Sequence, residues 1–112
     1  MLSLAEQREA SREQLEIRPL QAAQYRLETG DFYLRMGQKN EAETLYQAVV
    51  SEFPEFEWGL LRWARYQAES GHVSEAEEYY RRIIQLDGKA DPDAVESAKE
   101  DLKALKLRGK RG

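Results

Sequence analysis

The same ten-residue skeleton occurs twice in this chain. The stretches GQKNEAETLY at residues 37–46 and GHVSEAEEYY at residues 71–80 share the pattern G-x-x-x-E-A-E-x-x-Y at an offset of 34 residues. A period of about 20 to 50 residues is typical of a supersecondary unit that stacks on itself. The pattern therefore predicts a short repeat array rather than an irregular helical bundle with a chance similarity.

Two helices are predicted in each unit. In the first unit Pro19 suits the first position of a helix that ends at Gly37, and a second helix follows as far as Pro54. In the second unit the first helix covers about residues 55–70 and ends at Gly71. Because glycine readily adopts the left-handed conformation that ends helices, the two glycines predict equivalent turns.

Capping signals predict the helices that follow. Ser74 and Glu77 fit a capping box, which would begin the second helix of the second unit. Asp91 and Pro92 suit the N-cap and first position of a last helix that reaches Lys106. The second unit is thus predicted to be followed by one further helix.

The two ends of the chain differ from its body. Residues 3–17 are predicted to form a helical extension with a thin apolar face, and the sequence RGKRG after Leu107 a disordered tail. Residues 1–102 carry 12 basic and 21 acidic side chains, whereas the last ten residues add five positive charges. A basic terminus could contact nucleic acid or anionic lipid, but five charges at a frayed end are more typical of a solvated terminus.

Composition narrows the class of protein. Ala, Glu, Leu, Gln and Arg dominate a chain of 112 residues that is 41% hydrophobic and 34% charged, which favours one all-helical domain. No apolar run approaches the roughly 18 residues that a membrane span needs, and the N-terminus lacks the apolar region of a signal peptide. Without cysteine there is no disulfide framework and no thiolate metal site. We therefore expect a cytoplasmic protein without a membrane span.

The repeated unit resembles the tetratricopeptide repeat. The residues that match the family's pattern are Gly30, Tyr33, Gly37, Ala42, Tyr46 and Pro54 in the first unit and Leu60, Trp63, Ala64, Gly71, Ala76 and Tyr80 in the second. The resemblance implies an all-α fold, a right-handed array of antiparallel helix pairs (an alpha-alpha superhelix), in which small residues face each other: Gly30 with Ala42, and Ala64 with Ala76.

That resemblance divides the chain into regions. Residues 1–18 are the N-terminal helical extension, and residues 19–107 are the repeat domain. The repeat domain consists of unit one at residues 23–56, unit two at residues 57–90 and a capping helix at residues 91–106. The basic tail follows at residues 108–112. Because such arrays need a terminal helix with a polar outer face, the capping helix is expected to complete the core.

The resemblance also implies a non-enzymatic protein-binding module. The first helices of such units line a concave groove that holds a peptide or a partner helix. The residues expected to bind a partner there are Leu27, Asp31, Leu34, Trp58, Leu61, Arg65, Lys99 and Lys103. This mixture of apolar and basic groups favours a protein or peptide with apolar and acidic residues. An alternative is that the N-terminal helix folds back into the groove.

One ligand class is disfavoured on the same grounds. Chaperone-binding members of the family hold a terminal carboxylate with Lys and Asn at the positions that Leu27 and Asp31 fill here. The resemblance therefore implies that this carboxylate clamp is absent.

A structural role is the second hypothesis. Phe53, Phe56 and Trp58 lie around the turn between the units, and exposure of some of them would form an apolar patch suited to self-association or to docking in a larger complex. Specific nucleic-acid binding ranks below both.

No residue pattern predicts catalysis, a cofactor or a metal. His72, the only histidine, follows Gly71 in a turn, where a polar loop residue is ordinary. Metal sites and catalytic dyads built on histidine need partners that the sequence does not place nearby. The glutamates at the starts of the second helices are explained by the helix dipole.

Overall fold

Five helices follow one another in the computed structural model, which describes the backbone of residues 4–111 and the side chains of residues 19–109. They are α1 (Leu4–Arg35), α2 (Lys39–Glu52), α3 (Glu57–Glu69), α4 (Val73–Gln85) and α5 (Pro92–Arg111). No strand occurs within residues 4–111. The predicted all-α class is confirmed.

The helices form two layers. Consecutive helices pack against each other, and α3 also contacts both α1 and α5, whereas α2 and α4 make no contact with each other in the described chain. Helices α1, α3 and α5 therefore form one layer in which neighbouring helices touch, which corresponds to the inner side of a curved array. Helices α2 and α4 form the other layer and lie farther apart. The helix pairs are α1 with α2 and α3 with α4, and α5 covers the end of the second pair.

Two hydrophobic clusters form the core. The first joins α1, α2 and α3 and is built from Ala23, Leu27, Ala42, Tyr46, Val49, Trp63 and Tyr66. The second joins α3, α4 and α5 and is built from Leu60, Leu61, Ala64, Ala76, Tyr80, Ile83, Val95, Ala98, Leu102 and Leu105. Ala42 and Ala76 are completely buried, as the repeat predicted.

Gly30 lies under the aromatic ring of Tyr46. A β-carbon added at Gly30 would stand 2.6 Å from Cε1 of Tyr46. The glycine predicted to face Ala42 thus makes room for a tyrosine, because a side chain there would occupy the space of the ring.

The two predicted glycine turns are confirmed as equivalent. Gly37 and Gly71 have φ angles of 79° and 86°. After Gly37, the amide of Gln38 donates to the carbonyl of Tyr33 at 2.9 Å, and after Gly71 the amide of His72 donates to that of Gln67 at 2.8 Å. These bonds are those of the Schellman motif, so the same turn ends the first helix of each pair.

Of the two capping predictions, one is confirmed and one is wrong. Asp91 acts as an N-cap, since its Oδ1 accepts a bond of 3.0 Å from the amide of Asp93. The capping box at Ser74 and Glu77 is wrong: α4 begins at Val73 with His72 in the N-cap position and no side-chain cap. The Schellman turn already includes His72, so the helix begins directly after it.

The N-terminal extension is helical, as predicted, but it does not form a separate helix. Helix α1 runs through Pro19 without a break. Long runs of good helix formers on both sides of Pro19 outweigh the one backbone hydrogen bond that proline cannot donate. The N-terminal extension therefore continues the first helix, and the alternative in which it folds back into the groove is wrong.

The predicted tail is also helical, since α5 continues to Arg111. Basic residues are favourable near a helix C-terminus, because they complement its partial negative charge. Residues 1–3 and 112 lie outside the described backbone.

Candidate protein-binding groove

The inner layer carries a shallow depression between α1 and α3. Its volume is about 450 Å³, and its lining residues are Asp31, Leu34, Tyr46, Trp58, Arg62, Arg65, Tyr66 and Glu69. We call this depression the groove. It combines apolar, aromatic and charged groups, which is the composition expected of a surface that recognises a polypeptide.

A tyrosine, a carboxylate and an arginine meet in the groove. The hydroxyl of Tyr46 donates to Oδ1 of Asp31 at 2.5 Å, and Nη2 of Arg62 donates to Oδ2 of the same carboxylate at 3.2 Å. Burial, followed by the bond to Asp31, raises the pKa of the Tyr46 phenol well above its ordinary range. Asp31 is thus held by two donors from two helices, which fixes its position in the groove.

The arginine of this cluster also touches an aromatic ring. The guanidinium carbon of Arg62 lies 5.9 Å from the centroid of the Trp58 ring. Such a contact is a cation–π interaction and orders both side chains. Trp58 is half-buried, so part of its ring stays available to a ligand.

A second cluster of the same kind lies between α3 and α5. Nε of Arg65 donates to Oδ2 of Asp101 at 2.6 Å. Burial, followed by the negative charge of Asp101, raises the pKa of Tyr80 to about 12. These residues line a smaller depression of about 230 Å³ next to the groove, with Glu69 at the boundary between the two.

Four of the eight predicted binding residues come together in the groove: Asp31, Leu34, Trp58 and Arg65. Two others, Leu27 and Leu61, are completely buried in the hydrophobic clusters. Their prediction as contact residues is wrong, because the inner faces of α1 and α3 are partly used to pack the helices against each other.

The two remaining predicted residues lie elsewhere. Lys99 and Lys103 surround a depression next to Ile84 of α4. The residue of α5 that reaches Arg65 is Asp101, two positions after Lys99. Two positions correspond to about 200° around a helix, so the predicted face of α5 was nearly opposite to the observed one.

Four groove residues were not among the eight predicted ones: Tyr46, Arg62, Tyr66 and Glu69. Arg62 and Tyr66 lie one helical turn apart on α3 and share the groove side with Trp58. Asp101 of α5, which pairs with Arg65 in the neighbouring depression, was not predicted either. The signal available for Arg62 was its place one turn after Trp58, since residues four apart share a helix face.

A larger cleft lies at the turns on one edge of the array. It has a volume of about 760 Å³, and Phe53, Phe56, Leu60 and Leu86 supply apolar lining with Glu55 and Glu57 nearby. The three aromatic residues predicted for a patch are each half-buried. Phe53 and Phe56 line this cleft, whereas Trp58 lines the groove.

His72 lies in a polar contact at the second glycine turn. Nδ1 of His72 lies 2.7 Å from Oε1 of Gln67, a polar pair beside the glycine turn. Within the described part of the chain no group of three or more His, Cys, Asp or Glu side chains could hold a metal ion. Between residues 4 and 111 no helix is both long and apolar enough to cross a membrane.

The layered helix pairs and the inner groove are those of a helical-repeat protein. Residues 23–55 match the family model of the tetratricopeptide repeat. These residues include all of α2 and the part of α1 that packs on it. The match confirms the resemblance to this family over residues 23–55, and tetratricopeptide repeats generally mediate protein–protein interaction. No curated protein and no solved structure matches the chain.

Proposed function

We propose that the chain is a non-enzymatic binding module that holds a partner peptide or helix in the groove. The observation that supports this proposal is the ordered set of Asp31, Arg62 and Arg65 around the half-buried ring of Trp58. Preorganised side chains lose little conformational entropy when a ligand binds, so each contact contributes more to affinity.

The chemistry of the ligand follows from that set. The half-buried side chains of Leu34 and Trp58 provide apolar and aromatic area, and Arg65 is exposed on the groove side although it contacts Asp101. A ligand with a bulky apolar residue and a nearby carboxylate would cover the tryptophan and share the guanidinium of Arg65. We therefore propose an apolar and acidic segment as the partner.

A pair of matched charge reversals tests the groove. Peptides would be selected from a displayed library against the wild-type protein, and their dissociation constants measured by calorimetry. Arg65→Glu should weaken binding at least about tenfold, equivalent to about 1.4 kcal/mol. Lys99→Glu makes the same charge change outside the groove and should leave the affinity unchanged, with both variants checked for helical circular dichroism.

A variant pair separates the role of Arg65 in binding from its ion pair with Asp101. Exchanging the two groups, Arg65→Asp with Asp101→Arg, retains an ion pair across α3 and α5 but moves the positive charge. If this exchange variant binds like the wild type, the position of the guanidinium does not matter and the proposed recognition is wrong. Loss of binding by Lys99→Glu alone would place the ligand on another surface.

Docking within a larger complex is the second candidate function. The apolar lining of the larger cleft supports it, because open clefts lined by phenylalanine and leucine are suited to bury a partner's side chain. Phe56→Ser changes this cleft and leaves the groove residues in place. Peptides that lose affinity for Phe56→Ser and not for Arg65→Glu would favour the cleft over the groove.

A further inference from the structure

The outer face of α1 is apolar. Tyr25, Phe32 and Met36 are 70%, 51% and 62% exposed. Tyr25 and Phe32 share one side of α1 and Met36 follows directly after the helix in the same row, whereas Ala23 and Leu27 on the opposite side are completely buried. Three large apolar side chains in one row on a surface helix are more than the scattered exposure that is normal for a folded protein.

The other end of the array shows how such a face is usually covered. The outer side of α5 exposes Glu96, Glu100 and Lys103, with Leu107 as a single large apolar residue. A terminal helix with a charged outer face ends a repeat array in water. The outer face of α1 lacks that property, so it is suited to contact another polypeptide.

The spacing of the apolar row is that of a coiled coil. Ala22, Tyr25, Thr29, Phe32 and Met36 are separated by three and four residues in alternation. Thr29 fits this row because its hydroxyl donates to the carbonyl of Tyr25 at 2.8 Å and thus needs no further partner. We call these five residues the α1 seam.

Charges beside the seam indicate what can cover it. Glu28 and Arg35 lie seven residues apart on the same flank of the seam. Among the side chains of residues 19–109, neither has an ion-pair partner. If a second copy of the chain is related to the first by a two-fold axis perpendicular to α1, the two α1 helices run in opposite directions. Each Glu28 then lies opposite the Arg35 of the other copy, so the two surfaces are complementary in charge.

We propose that the α1 seam is a self-association site that joins two copies of this chain through antiparallel α1 helices. In this arrangement Tyr25 of one copy packs on Met36 of the other, and Thr29 packs on Phe32. In an antiparallel dimer shifted by one heptad, Glu28 of one copy would lie opposite Glu28 of the other. In a parallel dimer, Glu28 of one copy would lie beside Tyr33 of the other. Only the proposed register forms two ion pairs.

The association leaves the groove accessible. Asp31 and Leu34 belong to the groove and not to the seam. A dimer would therefore present two grooves, and a ligand with two binding segments would gain affinity through effective concentration. The site and the groove are tested by different variants, so either one can fail without the other.

The first test measures mass as a function of concentration by sedimentation equilibrium. We expect the wild-type chain to approach twice the monomer mass and Phe32→Arg to remain monomeric. Leu107→Arg is the matched control, because it places the same charge on a residue of similar exposure, 55%, at the other end. A wild type that stays monomeric to its solubility limit, or equal dissociation of both variants, would overturn the proposal.

The second test exchanges charges and identifies the orientation. Glu28→Arg and Arg35→Glu should each weaken self-association about tenfold, because two ion pairs become two like-charge contacts. Mixing the two variants should restore the dimer as a heterodimer, and the double variant should restore it as a homodimer. Unchanged association of both single variants, with helical content and melting temperature equal to those of the wild type, would contradict the antiparallel arrangement.

Discussion

The two helix pairs have the same backbone plan but opposite charges at equivalent positions of the inner layer. Tyr46 and Tyr80 are 34 residues apart and both are buried. Asp31 lies beside the first tyrosine, whereas its equivalent beside the second is Arg65. Each completes its ion pair with a residue of the next inner helix, so the repeat determines where a charge lies and leaves its sign free.

The residues beneath the two tyrosines differ as well. Unit one has Gly30, and unit two has Ala64 at the equivalent position. The ring of Tyr46, which lies against Gly30, belongs to an aromatic group: the ring centroids of Tyr46 and Tyr66 are 6.2 Å apart, and Trp63 stacks on Tyr66 at 5.8 Å. Unit two is packed by aliphatic residues of α5 instead. The comparison indicates that unit one depends on its aromatic fit and unit two on the helix that follows it.

The largest expected effect comes from removing that helix. Truncation after Gly88 takes away Val95, Ala98, Leu102 and Leu105, which complete the second hydrophobic cluster. The truncated chain should lose its cooperative thermal transition, measured by circular dichroism, because unit two would expose one side of its core. The matched control is truncation after Arg108, which leaves these four residues in place.

A cooperative transition in the shorter chain would contradict the dependence of unit two on α5. A transition limited to the first hydrophobic cluster, followed by the fluorescence of Trp63 in a Trp58→Phe background, would show that this cluster folds without α5. The two results would distinguish a single folding unit from two separable ones.

The next largest effect tests the close approach in unit one. Gly30→Ala places a β-carbon against the ring of Tyr46, which cannot turn away without breaking its bond to Asp31. The free energy of unfolding should fall by about 1 to 3 kcal/mol, measured by urea denaturation. Gly109→Ala is the control, because a β-carbon there has no neighbour within 4 Å and should raise stability slightly. A Gly30→Ala variant as stable as the wild type would contradict the tight fit.

The fold could be predicted because its landmarks are packing residues. Gly37 and Gly71 end helices for a backbone reason, and Ala42 and Ala76 are small where helices cross, so their spacing gives the helix pairs directly. The extent of α1 could not be read the same way. At Pro19 the sequence contains one residue that favours a helix break and many neighbours that favour a continuous helix, and no glycine nearby marks a break.

The groove could be predicted only in part, because its last helix departs from the period. Four residues, 53–56, connect α2 to α3, but six residues, 86–91, connect α4 to α5. The longer connection brings Asp101 to Arg65, and the strict 34-residue count had assigned that face to Lys99. Leu27 and Leu61 were misassigned for another reason: a repeat register gives the side of a helix, and the neighbouring helix decides whether that side is exposed.

A smaller effect compares the two tyrosine hydroxyls. Tyr46→Phe removes the bond to Asp31 and should lower the free energy of unfolding by about 1 kcal/mol at neutral pH. Tyr80→Phe should cost less, because Asp101 keeps the bond of 2.6 Å from Arg65, whereas Asp31 would keep only the longer bond of 3.2 Å from Nη2 of Arg62. Urea denaturation of both variants measures the difference. A larger loss in Tyr80→Phe would reverse the proposed ranking of the two clusters.

The smallest expected difference lies in how stability depends on alkaline pH. Burial raises the pKa of both Tyr46 and Tyr80 above the unfolded value of 10.0, that of Tyr80 to about 12. A raised pKa means that the folded protein holds the phenolic proton more tightly than the unfolded chain does. The resulting stabilisation is complete below about pH 10 and is lost as the pH rises through the folded values, so the free energy of unfolding should fall over that range. Each phenylalanine variant should reduce this slope, with Tyr46→Phe reducing it more, and the double variant should reduce it most. Urea midpoints at a series of pH values, together with tyrosinate absorbance, measure the slope, and a double variant with the wild-type slope would show that other groups cause the alkaline loss.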